Sequence, residues 1–143
     1  MNQNEKELLL KDLCARLPYG VKISKVIEDL VSEPRPIRSI NLNNIIVEDG
    51  EFEDGTPDID VWNYEEIKPY LFPLSSITIE QEKELLKFGV SYCEYALHDD
   101  TRGLGIYVDE AYIFFEFCYK HHIDFLGLIE MGLAIDATGL NIY

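Results

Sequence analysis

The sequence predicts an α+β fold: one domain in which a small antiparallel sheet is packed by an N-terminal helix and two or three later helices. Three observations carry this expectation. Capping-box patterns precede helical runs near residues 4 and 78. Short β-branched stretches, separated by turn dipeptides, fill residues 21–62. Apolar residues recur at helical spacing after Asp109.

In chain order, Asn4 is the expected N-cap of the first helix, with Glu7 as its capping-box partner. Leu10, Leu13, Cys14 and Leu17 form the apolar stripe, and Pro18 stops the helix. Residues 21–31, VKISKVIEDLV, fit either period. Val21, Ile23, Lys25 and Ile27 make one face of a strand; Ile23, Val26, Ile27, Leu30 and Val31 make one face of a helix. β-Branched residues after a Tyr19–Gly20 turn favour the strand. Pro34 and Pro36 mark a break or an edge strand.

Ile40, Leu42 and Ile45–Val47 read as β, with Asn43–Asn44 as a turn or bulge. Asp49–Gly50 is a hairpin signal returning through Glu51–Asp54. Gly55–Pro57 is a second turn, and Asp58–Trp62 a strand with Ile59 and Val61 on one face. Pro69 and Pro73 make KPYLFPLSS an irregular connection. Thr78 with Gln81 opens a second helix that Gly89 closes. Val90–His98 alternates as a strand, Asp99–Gly105 is a turn, and Ile106–Val108 pairs back. Asp109 caps a third helix carrying Ala111, Phe114, Phe115, Cys118 and His122, and Asp124 restarts a short helical turn ending at Gly132.

The totals bound the class of protein. At 143 residues, about half apolar, with nine Tyr and seven Phe, the chain has enough to bury a core in one domain. No internal repeat or low-complexity tract divides it. MNQNEKELLLKDL has no signal-peptide apolar region, and no apolar run is long enough to cross a bilayer. Cys14, Cys93 and Cys118 are an odd, widely spaced set without a CxxC pair, which fits reduced thiols and a cytoplasmic location.

Charge is the most informative feature for function. The net charge is −15, and no Lys or Arg lies between Arg38 and Lys68. Nine carboxylates fall in that interval: Glu48, Asp49, Glu51, Glu53, Asp54, Asp58, Asp60, Glu65 and Glu66. Such a field repels nucleic-acid backbones and anionic lipid and attracts basic proteins. The block reads in three ways: as a solvated hairpin, as a binding face for a basic protein surface, or as a calcium loop. The third departs from the standard pattern, because counting from Asp49 puts Asp54 where an EF-hand needs glycine. In the second reading Glu48, Asp49, Glu51, Glu53, Asp54, Asp58 and Asp60 form the face, with Trp62 and Tyr64 as aromatic anchors. Same-face carboxylates such as Asp58 and Asp60, or Glu51 and Glu53, would repeat about every 7 Å, as a phosphate backbone does. The alternative for Trp62, Tyr64, Tyr70 and Phe72 is simple core packing.

Catalytic chemistry is poorly supported. Cys118 and His121 are one helical turn apart with His122 adjacent, but zinc needs further ligands and Cys118 sits on the apolar stripe. RGLGIYVD lacks the third glycine of a dinucleotide fingerprint, and no GxSxG or HExxH occurs. No catalytic residue, metal ligand or cofactor is assigned. The sequence therefore points to a non-enzymatic acidic binding module, with no direct nucleic-acid or membrane partner. A small metal- or carboxylate-based hydrolase and a structural or assembly subunit are the competing classes.

Three stretches carry a resemblance: LLLKDLCARLPYGVK (8–22), EEIKPYLFPLSSIT (65–78) and KHHIDFLGLIEMGLAID (120–136). Together, over about a third of the chain, they resemble a set of short proteins of Bacteroides-type gut bacteria, their phages and integrated elements. The resemblance implies an intracellular, mobile-element context in which proteins act by binding host or phage machinery. It carries no assigned activity and no functional residue.

Overall fold

A computed structural model of the protein describes residues 1–88, 94–96, 102–104 and 111–143. The fold is α+β, but the sheet is neither small nor purely antiparallel. Helix α1 (Gln3–Arg16) leads into strands β1 (Lys22–Ile27), β2 (Leu30–Val31), β3 (Arg35–Ile40), β4 (Asn44–Glu51), β5 (Pro57–Asn63) and β6 (Ile67–Pro73). Helix α2 (Ile79–Lys87), strands β7 (Glu94–Ala96) and β8 (Arg102–Leu104), helix α3 (Ala111–Lys120), β9 (Ile123–Asp124) and β10 (Ile135–Asp136) follow. Eight strands join in the order β10-β6-β1-β3-β4-β5, with β2 on β1 and β9 on β6; β7 and β8 pair separately. Beyond the expected strands the sheet gains β6, in place of an irregular connection, and the short β9 and β10, both parallel to β6. At two residues each they are too short to show a period.

The path of the chain curls the sheet. Strands β5 and β6 lie four positions apart in the strand order, about 19 Å if laid flat. Only the three residues of a 3₁₀ turn, Tyr64–Glu66, connect them, a reach of about 14 Å at most. The sheet therefore rolls so that the end of β5 approaches the start of β6. Inside the roll, Leu9 and Leu13 of α1 meet Val21, Ile23, Ile45, Val47, Trp62, Tyr64 and Ile67. A second cluster joins Leu85 of α2 to Phe114, Phe117 and Cys118 of α3 and to Ile123. A third gathers Leu71, Leu128, Leu133 and Ala134.

Several expectations shift by a residue or two. The N-cap of α1 is Asn2, paired reciprocally with Glu5, rather than Asn4 with Glu7. Residues 22–27 take the strand alternative. Pro36 lies in β3 between β1 and β4, not on an edge; the β1–β3 ladder is only two pairs long there and tolerates it. Leu42 is in the Asn41–Asn44 turn, not a strand, and is exposed. Residues 67–73 form a central strand despite Pro69 and Pro73. β1 pairs with 67–69 and the opposite edge is engaged only from Tyr70 onward, so the N–H that Pro69 lacks is not missed there. α2 opens with the Thr78–Gln81 capping box. β8 occupies part of the expected Asp99–Gly105 turn. Expectations resting on Gly89, Ile106–Val108 and Asp109 lie outside the described residues.

The hairpin between β4 and β5 is also built differently. Gly50, at φ +133°, belongs to a β-bulge between Glu48 and Gly50 rather than to the turn, and β4 runs on to Glu51. The reversal comes at Phe52–Thr56, closed by Phe52 N–H to Thr56 O and Gly55 N–H to Phe52 O. Asp54 stabilises it by accepting the Thr56 N–H at 2.9 Å and the Thr56 hydroxyl at 2.6 Å.

The β1–β2 turn holds strain. Glu28 adopts φ +55° between the Ile27–Leu30 pair, a left-handed conformation that a Cβ opposes. Glu28→Gly is expected to raise stability and Glu28→Val to lower it by about 1 kcal/mol, read as opposite shifts of the urea midpoint.

Candidate functional site

The β4–β5 hairpin divides the acidic block between two faces. Cross-strand pairs Ile45–Trp62 and Val47–Asp60 put Ile45, Val47 and Trp62 on the core side, with Asp60 and Asp58 continuing that face outward along β5. The pairs Ile46–Val61 and Glu48–Ile59 define the other face. Because the bulge adds a residue to β4, the alternation resets and Glu51, opposite Pro57, returns to the same outer face as Glu48. Ile59 and Val61 are 49 % and 51 % exposed on this outer face, and Phe52 at the hairpin tip is 55 % exposed. Glu51, Glu53 and Asp54 are exposed around them.

Nine carboxylates are thus not one uniform patch. Glu48, on the outer face, pairs with Arg38 at 3.7 Å, and Glu66 pairs with Lys25 at 3.4 Å. Asp60 is engaged twice, accepting the Trp62 indole N–H at 2.7 Å and the Val61 N–H at 2.8 Å. These two donors hold its carboxyl below the usual range, and the Thr56 hydroxyl and N–H do the same for Asp54. Asp58 and Asp60 keep the expected alternate spacing on β5. Glu51 and Glu53 do not, because Glu53 lies in the turn. Of Asp49, the backbone lies in β4. Trp62 and Tyr64 are 4 % and 1 % exposed and belong to the main core, so burial removes them as aromatic anchors. Tyr70 is buried as well, and the core reading of this aromatic segment holds. The exposed apolar side chains of this hairpin are instead Phe52, Ile59 and Val61. The Ile59–Val61 alternation was visible in the sequence, but which face it would take was not.

The histidines and the thiol near the end of α3 separate. Cys118 is fully buried, and desolvation pushes its thiol up to about 12, far from a reactive thiolate. His121 Nε2 lies 3.1 Å from Glu84 Oε2, and Lys120 Nζ reaches Glu84 Oε1 at 2.8 Å. Donation from Lys120, first, and then the charges of His121 and Lys120 hold the Glu84 carboxyl down. His122 turns inward in a left-handed conformation, φ +56°, and stacks on Tyr143 with ring centres 3.9 Å apart. Among the described residues no group of three or more His, Cys, Asp or Glu side chains converges as a metal site would require.

Sequence reasoning missed the polar centre of the fold. Asp12 and Arg16, both fully buried, lie on the inward stripe of α1 beside Leu9 and Leu13. Arg16 donates to Asp12 at 2.8 Å, to Cys118 O at 3.0 Å and to Ile123 O at 2.8 Å, and lies over the Tyr119 ring. The i,i+4 spacing of Asp12 and Arg16 was the available signal, but it marks surface pairs far more often. Asp124 completes this centre by accepting the Leu128 and Ile129 N–H groups at 3.0 and 2.8 Å. No described helix is long and apolar enough to cross a membrane. Comparisons with protein-family models, with curated proteins and with solved structures find no match.

Proposed function

We propose that the protein is a non-enzymatic binding module that takes a basic protein surface on the outer face and tip of the β4–β5 hairpin. The observation that carries this reading is the exposure of Phe52, Ile59 and Val61 among the carboxylates of Glu48, Glu51, Glu53 and Asp54. Apolar side chains supply contact area and the carboxylates select cationic partners. Asp58 and Asp60, on the other face, add to the long-range field rather than to the contact. Groups suited to hydrolysis are otherwise engaged: Cys118 is buried and Glu84 holds Lys120 and His121.

The resemblance to proteins of Bacteroides-type phages and mobile elements supports a cytoplasmic role in masking a host protein, with nucleic-acid-handling proteins the favoured class because their surfaces are basic. The three stretches that carry that resemblance meet in the fold. Arg16 bonds to Ile123, β6 pairs with β9 and β10, and Leu8 and Leu71 pack on Leu128. They form a packing nucleus, while the acidic hairpin lies outside it.

The test is capture from a Bacteroides-type lysate with wild type and two variants, Ile59→Ser with Val61→Ser and Glu51→Gln with Glu53→Gln, at about 0.1 M and about 1 M salt. Over that range the screening length falls from about 10 to about 3 Å. A basic partner held by wild type, lost with the apolar variant and retained only weakly and with a smaller salt dependence by the charge variant is the expected result. A partner captured equally by all three proteins, or none that is basic, overturns the reading.

A further inference from the structure

Strand β5 ends the sheet, and among the described residues it pairs only with β4. A seven-residue strand with a free edge and exposed Ile59 and Val61 would ordinarily template another strand. The side chain of Asp60 lies along that edge. Its Oδ1 accepts the Val61 N–H while its Oδ2 accepts the Trp62 indole, so the carboxylate is held in place from two sides.

The sequence of β5 is self-complementary about Asp60. In an antiparallel pairing of two copies related by a two-fold axis at residue 60, Ile59 of one copy lies opposite Val61 of the other. The Val61 N–H donates to Ile59 O in such a ladder, and the same side chains meet as apolar cross-strand pairs on the outer face. Asp60 occupies that donor and would also meet its own copy at the axis, carboxylate against carboxylate. We propose that Asp60 keeps β5 closed against a second copy of this chain, so that the outer face stays free while its edge cannot extend the sheet. This stands independently of any partner for the hairpin.

The test is sedimentation velocity over a concentration series. Wild type is expected to remain monomeric. Asp60→Ala, which removes both the acceptor and the charge, should self-associate at least roughly tenfold more tightly, and Asp60→Asn, which keeps an acceptor oxygen, should fall between them. Adding Ile59→Pro to Asp60→Ala removes the other edge donor and should restore the monomer. If loss of the indole acceptor unfolds Asp60→Ala, the same series is run with Trp62→Phe present throughout, which leaves no orphaned indole N–H. A folded alanine variant that stays monomeric, or one whose association survives Ile59→Pro, overturns the proposal.

Discussion

Arg16→Ala is expected to lower the unfolding free energy by about 3–5 kcal/mol, enough to unfold a domain at the weaker end of ordinary stability. The guanidinium is fully buried and, among the described residues, is the only ion-pair partner of Asp12, whose other oxygen, Oδ1, has no hydrogen-bond partner there. Burial already raises the Asp12 carboxyl, against the opposing pull of Arg16. Removing the arginine leaves a buried carboxylate without compensation and frees the Cys118 and Ile123 carbonyls. The paired variant Asp12→Leu with Arg16→Met separates these contributions. It removes both charges but still orphans the two carbonyls, each costing about 1–3 kcal/mol. About half of the lost stability should therefore return in urea denaturation. Full recovery would show that the carbonyl bonds contribute nothing. No recovery would show that the ion pair does not dominate.

A second large effect is the pH dependence set by His122. Burial, followed by the charges of Arg16 and His121, lowers its imidazole from the ordinary 6.5 to about 4, against a smaller opposing hydrogen bond that the ring donates to the Tyr19 backbone. Among the described residues its buried Nδ1 has no partner, and Tyr143 covers the ring. Between pH 6.5 and about 4 the unfolded chain binds a proton that the folded one refuses, so stability falls as pH drops through that window and the contribution levels off below it. The span corresponds to about 3 kcal/mol. Asp12, raised by burial, works in the opposite direction, since its folded form takes up a proton more readily. The lowered carboxyls of Asp60 and Glu84 lose stability as pH falls through and below the ordinary carboxylate range. His122→Asn, which tolerates the left-handed backbone, isolates the histidine. The difference between wild type and this variant should slope between pH 6.5 and about 4 and be flat above. A difference independent of pH would mean that the ring is hydrated and protonates freely in the native state.

Much of the architecture was legible because it depends on local rules. The second capping box, the strand alternative at residues 22–27, the Pro57–Asn63 strand and the helix over 111–120 follow from short-range pattern. What the pattern hid was long-range. β9 and β10 exist only because β6 offers them an edge, and β6 tolerates Pro69 only because of where its neighbours begin. The candidate site was legible as charge but not as surface. Composition determined an acidic protein, since charge is additive along the chain, and residue order alone placed a carboxylate-rich segment between Arg38 and Lys68. Which of those carboxylates stand free, which meet Arg38 or Lys25, and which lie along a strand edge depended on tertiary structure. A one-residue bulge moves a side chain to the opposite face of a sheet, and a rolled sheet buries Trp62 while exposing Ile59 and Val61 three residues or fewer away.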